Sequence, residues 1–154
     1  MANTYTQILI QIVFAVQGRR SLISEENREP LEKYMCGIVS GKKSKPLAVY
    51  CNPDHTHILI GLNPSVSIAD MARDIKSDST KWMKENRMVS DNFSWQLGYG
   101  AFSYSRSQLD TVVKYILNQP IHHRKTSFKE EYLDLLKQFD IEFEDHYLFE
   151  WIED

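Results

Sequence analysis

Between residues 4 and 16 apolar and polar side chains alternate. Ile8, Ile10, Ile12, Phe14 and Val16 fall on one face and Gln7 and Gln11 on the other, the period of a half-buried strand. The spacing turns helical over residues about 24–40, with Ser24 placed as an N-cap and Gly41 just past the end. A basic turn, Gly41 to Pro46, leads to a short strand at 47–51, and the turn Asn52-Pro53-Asp54 leads to a third strand at 55–62. A second helix is predicted over 67–85, with Ile68, Met71, Ile75 and Trp82 facing the core. A fourth strand follows at 101–105 and a third helix at 107–119, stopped by Pro120. A fourth helix runs over 127–139, where Ser127 and Glu130 have capping-box spacing.

The order β-α-β-β-α-β followed by two helices predicts an α+β fold: a ferredoxin-like (RRM-like) split β-α-β antiparallel sheet with additional C-terminal helices. In that plan the first and third strands lie at the centre, helices cover one face, and the other face is left for a ligand. The 154 residues fit a single domain: sheet and two helices over 1–105, the third helix over 107–119, and a helix with an acidic tail over 127–154. The tail aromatics Phe143, Tyr147, Phe149 and Trp151 are expected to dock on the body.

Charge changes the picture only when divided. The net charge of −3 does not point to nucleic acid, but residues 1–126 hold 16 Lys/Arg against 11 Asp/Glu, and the acidic excess sits in 127–154. A mildly basic body is left, able to hold phosphates. Cys36 and Cys51 have no CxxC spacing and read as buried free thiols of a reducing compartment. The N-terminal run lacks a basic leader, is interrupted by Gln7 and Gln11, and is too short to span a bilayer, so a cytoplasmic protein without membrane contact is expected.

Two places carry candidate chemistry. On the third strand Thr56, Ile58, Ile60 and Leu62 share the core face, while His55, His57, Leu59 and Gly61 share the opposite one. Two imidazoles side by side on a strand suit one metal ion. Taken alone such a pair is more often two exposed histidines at a strand end. On the third helix Leu109, Val112, Val113, Ile116 and Leu117 form the apolar stripe, and Tyr115 and Gln119 stack on a flank outside it. A phenol there is available for chemistry, and the Gln119 oxygen for a metal shell. Gln119, next to Pro120, is expected at a frayed, adjustable helix end. A tyrosine attacking phosphate needs help, its pKa being about 10, and a divalent metal offsets the charge that develops. Mixed N and O donors suit Mg²⁺ or Mn²⁺.

These residues also resemble a known family. The block Pro53-Asp54-His55-Thr56-His57-Ile58-Leu59-Ile60 is similar to the HUH motif of the single-tyrosine transposases of single-strand insertion sequences. The stretch from Trp95 to Ser105 resembles their segment before the catalytic helix, and Tyr115 to Gln119 their Tyr-x-x-x-Gln nucleophile motif. The resemblance implies metal ligands at His55, His57 and Gln119 and a nucleophile at Tyr115. It implies a homodimer, sharing its sites between chains, that cleaves and rejoins single-stranded DNA bearing hairpin ends through a 5′-phosphotyrosine. One departure is Thr56, where the family places a bulky apolar residue; its hydroxyl, buried in the core, needs a partner.

Three basic clusters are candidate DNA contacts: Lys42, Lys43 and Lys45; Lys81, Lys84 and Arg87; His122, His123, Arg124 and Lys125. Each alone reads more simply as solvated surface. Tyr99 and Tyr104 are candidate base-stacking platforms, with core packing the plainer role. Two other functions fit the same plan. One is a domesticated relative acting on chromosomal repeats, which flanking DNA would distinguish. The other is a non-catalytic RNA- or single-stranded-DNA-binding module, which would place aromatics on the open face where this chain has Tyr5, Gln7, Gln11, His55 and His57.

Overall fold

The structure is a computed structural model and describes residues 3–123 and 126–144. Its sheet has four antiparallel strands: β1 (Leu9–Ala15), β2 (Lys45–Cys51), β3 (His55–Gly61) and β4 (Gly100–Tyr104), in the order β2-β3-β1-β4. The centre is the expected pair, with Val13 opposite His57 and Ala15 opposite His55. The β2–β3 register slips between Pro46 and Ala48, a bulge at a proline that cannot donate to the ladder.

Helices α1 (Glu25–Gly41) and α2 (Ile68–Glu85) cover one face. There Leu31, Met35, Val39, Met71 and Ile75 pack on Ile10, Ile12, Phe14, Ile58 and Ile60. Ser67 caps α2 by accepting from the Asp70 amide, whereas Ser24, though at the N-cap of α1, makes no capping bond. Ile68 and Trp82 are only partly buried, and Trp82 stacks on Tyr34. Gly41 ends α1 from inside the helix, and the left-handed turn falls on Lys43.

The opposite face is not open. Helix α5 (Phe128–Gln138) lays Phe128, Tyr132, Leu135 and Leu136 over Val13, Ala15 and Phe102, and α3 (Leu109–Leu117) lays Val112 and Ile116 over Ala48 and Leu59. The half-buried strand of 4–16 is therefore shorter, and all seven residues of β1 are buried, Gln11 included. Both faces are apolar enough to bury, which the alternation of β1 alone did not disclose.

The third predicted helix is broken. Arg106–Gln108 form a 3-10 turn, α3 ends at Leu117, and after Asn118 the chain makes a one-turn helix, α4 (Gln119–His122). Pro120 opens α4 rather than ending a helix, because a first turn needs no donor from it. Ser127 caps α5 on the Glu130 amide. Phe143 is half exposed, and Tyr147, Phe149 and Trp151 lie outside the described residues. Among the described residues no helix is long and apolar enough to cross a membrane.

Candidate metal centre and tyrosine site

His55 and His57 project from the same face of β3, but under α5 they are buried rather than presented to solvent. The ring of Phe128 stacks on His55 with centroids 3.8 Å apart. Around the pair gather His123, just past α4, and Glu131, one turn into α5. One ligand atom from each of these four residues lies within 4.8 Å of the others. Glu131 Oε1 is 2.8 Å from His57 Nε2, 3.5 Å from His123 Nε2 and 3.7 Å from His55 Nε2. Its other oxygen accepts from the Tyr115 hydroxyl and, at 3.2 Å, from Gln119 Nε2.

Tyr115 is half-buried, its ring edge-on to that of His57 at 5.9 Å. Its position off the stripe of Val112 and Ile116 turns it along β3 toward the imidazoles. Gln119 is fully buried, not frayed: Asn52 Nδ2 donates to its Oε1 at 3.1 Å, and that oxygen is 2.8 Å from His123 Nε2. The break at Asn118 and the new turn of α4 fix it there.

Outer partners hold each ring. His55 Nδ1 donates to Asp54 Oδ1 at 2.7 Å, and His123 Nδ1 lies 2.9 Å from the Thr126 carbonyl. His57 Nδ1 is 2.8 Å from the Gln11 amide, whose oxygen accepts from the Tyr104 hydroxyl at 2.6 Å. This is the pattern by which proteins orient metal-binding histidines.

The electrostatics follow from burial and closeness. Burial works to raise the Glu131 pKa, but the imidazoles of His57, His123 and His55 gathered on the carboxylate hold it far below the usual range. For His55, burial opposes charge, yet the Asp54 and Glu131 carboxylates raise its pKa above the ordinary histidine value. Burial lowers that of His57 despite Glu131. Burial and the adjacent Glu131 carboxylate push the Tyr115 phenol well above its ordinary value, so at rest it keeps its proton.

Of the proposed phosphate contacts, Lys42 is paired with Asp74 on α2. Lys43 and Lys45 are exposed and line a groove with Arg106 at the β2 edge. Lys81 and Arg87 are exposed, and Lys84 borders a second groove with Lys76, Trp95 and Tyr99. His123 turns inward to the cluster. Arg124, Lys125 and the His122 side chain lie outside the described residues. Tyr104 is occupied with Gln11, while Tyr99 is partly exposed.

Sequence reasoning missed Glu131 and grouped His123 with the candidate DNA contacts, whereas its ring faces the cluster. The signal for Glu131 was present: with Ser127 as cap, it lies on the stripe of Phe128, Tyr132 and Leu135, an acid on an apolar face. His123 was hidden because Pro120 was read as a stop.

A ferredoxin-like sheet with paired strand histidines beside a helix-borne tyrosine defines the class of this protein. The sequence model described as "Transposase IS200 like" matches residues 4–119, and the chain belongs to that family. Two solved structures share the fold. A Deinococcus radiodurans chain described as a transposase is 19% identical, with TM-score 0.61, covering 77% of this chain and 95% of its own. A REP-associated tyrosine transposase bound to a REP hairpin is 16% identical, with TM-score 0.59, covering 80% of this chain and 73% of its own. No curated protein sequence matches the chain.

Proposed function

We propose that this transposase cleaves and rejoins single-stranded DNA at hairpin-bearing ends in the cytoplasm, through a 5′-phosphotyrosine on Tyr115. The observation that carries this reading is the convergence, within one chain, of the Tyr115 hydroxyl, the Glu131 carboxylate and the two β3 imidazoles. Family membership supplies the reaction class.

Tyr115 Oη, aimed by its hydrogen bond to Glu131 Oε2, attacks the scissile phosphorus and releases its proton to solvent. The bond from phosphorus to the 3′ oxygen breaks, and that oxygen leaves as a hydroxyl after taking a proton from solvent. Rejoining is the reverse, with a 3′-hydroxyl attacking the phosphotyrosine. The residues fit a divalent metal, with His55 and His57 holding it and Gln119 beside them, as the resemblance implies. A bound ion would offset charge on the phosphate oxygens. Of Mg²⁺ and Mn²⁺, the imidazoles favour Mn²⁺. Among the candidate contacts, Lys43, Lys45, Lys81 and Arg87 are exposed and available to DNA phosphates. Two copies would hold two cleaved ends for strand exchange, so a homodimer belongs to the same proposal.

The test uses hairpin DNA labelled at its 3′ end, with the protein and a divalent metal. A denaturation-resistant protein–DNA band is expected, absent in Tyr115→Phe and in EDTA. A Phe variant that still forms the band would overturn the proposal.

A further inference from the structure

The family resemblance supplies two histidines and a glutamine to the metal. In this chain a different donor set is assembled. His55, His57, His123 and Glu131 bring three imidazole nitrogens and a carboxylate oxygen together, from β3, the turn after α4, and α5. In a tetrahedral shell with metal–nitrogen bonds of about 2.0–2.1 Å, neighbouring donors stand ~3.3 Å apart. Here the His55 and His123 Nε2 atoms are 3.2 Å apart, and Glu131 Oε1 lies 2.8, 3.5 and 3.7 Å from the three rings.

Tautomers strengthen the case. The Asp54 carboxylate and the Thr126 carbonyl accept only, so they fix the proton of His55 and His123 on Nδ1. The Nε2 atoms then face each other across the cluster at 3.2 Å, a separation held by a proton in the metal-free site and open to a cation in its place. Asn52 Nδ2 donates to His55 Nε2 at 3.1 Å, as a placeholder would. At His57 the Gln11 amide, turned end for end, accepts from Nδ1 and donates to the Tyr104 oxygen at the same atomic positions.

We infer that His123 and Glu131 join His55 and His57 as ligands of a three-nitrogen, one-oxygen centre that selects a first-row transition ion over Mg²⁺. Gln119 Oε1, which accepts from Asn52 and lies 2.8 Å from His123 Nε2, borders the same space without being needed to complete the shell. Glu131 serves both partners, Oε1 toward the ion and Oε2 toward Tyr115. Mg²⁺ favours oxygen donors and retained water, whereas imidazole suits the transition ions. The inference rests on the metal-site part of the function proposed above.

The experiment is a Co²⁺ titration of the metal-free full chain without DNA, read by visible absorption. The wild type is expected to give the intense bands of low-coordinate Co²⁺, lost on adding Zn²⁺ and retained with Mg²⁺ at about a hundredfold excess. His123→Asn and Glu131→Gln, their folding checked by circular dichroism, should each bind Co²⁺ at least about tenfold more weakly. Weak six-coordinate bands in the wild type, displacement by Mg²⁺, or wild-type affinity in both variants would overturn the assignment. So would a loss of affinity confined to Gln119→Ala. The wild-type spectrum decides even if a variant fails to fold. A protein that passes this titration yet forms no DNA adduct overturns the proposed reaction and leaves the metal centre standing.

Discussion

Thr56 sits between the two histidines of β3 and faces away from them, into the core. It is fully buried, and among the described residues its hydroxyl has no partner stronger than the Cys51 thiol, a weak one. An unsatisfied buried hydroxyl costs more than a methyl in its place. Thr56→Val is therefore expected to stabilise the fold by about 1 kcal/mol, read as a higher urea midpoint at unchanged slope. A lower midpoint would mean that the hydroxyl has a partner. The same residue shows what was legible at this scale. Strand alternation placed Thr56 in the core and His55 and His57 opposite, because a period of two needs no knowledge of the rest of the chain. It did not show that the histidine face is covered, since the cover comes from residues more than 70 positions away, as in the His57–Glu131 contact.

Helix α5 is the element that converts a surface pair of histidines into a buried centre. It docks through Phe128, Tyr132, Leu135 and Leu136, and at β4 it depends on a missing side chain. A Cβ on Gly100 would lie 2.5 Å from the Tyr132 hydroxyl oxygen and 2.9 Å from ring carbon Cε1. Gly100→Ala should push the ring outward and cost about 1–3 kcal/mol, with faster hydrogen exchange along 128–138 than in β1. Unchanged stability and unchanged exchange in α5 would contradict this packing. Most elements were readable because each carries its own period: β3, α2 and α5 begin within a residue or two of where the pattern put them. The stretch from 106 to 123 was not, because its breaks answer to tertiary contacts. A buried Gln119, bonded to Asn52 and facing His123, holds the chain in a second turn that local propensity does not specify.

Over the whole molecule the question is whose tyrosine serves whose histidines. The expectation of a shared site comes from the resemblance, and the short tether of Arg106 and Ser107 between β4 and the tyrosine helix would favour it by limiting how far the helix folds back. The tether instead coils. Arg106–Gln108 form a 3-10 turn closed by Gln108 Oε1, which accepts from the Ser105 amide at 2.8 Å. From there α3 lies on β2 and β3 of its own chain, Val112 and Ile116 against Ala48 and Leu59. That brings Tyr115 to the Glu131 and His57 of the same polypeptide. A homodimer is still compatible with strand exchange, but each copy would bring a complete site. Mixing Tyr115→Phe chains with His57→Ala chains separates the two arrangements. Were the sites shared, random exchange would make half of the dimers mixed, each with one intact composite site, and adduct formation would recover to about a quarter of the wild-type level. With the site built in one chain, no combination restores a tyrosine beside an intact pair of histidines, so the mixture should form no more adduct than either variant alone. Subunit exchange is verified by pulling down one tagged variant with the other. Recovery toward that quarter, with exchange confirmed, would show that the helix crosses to a partner once DNA is bound.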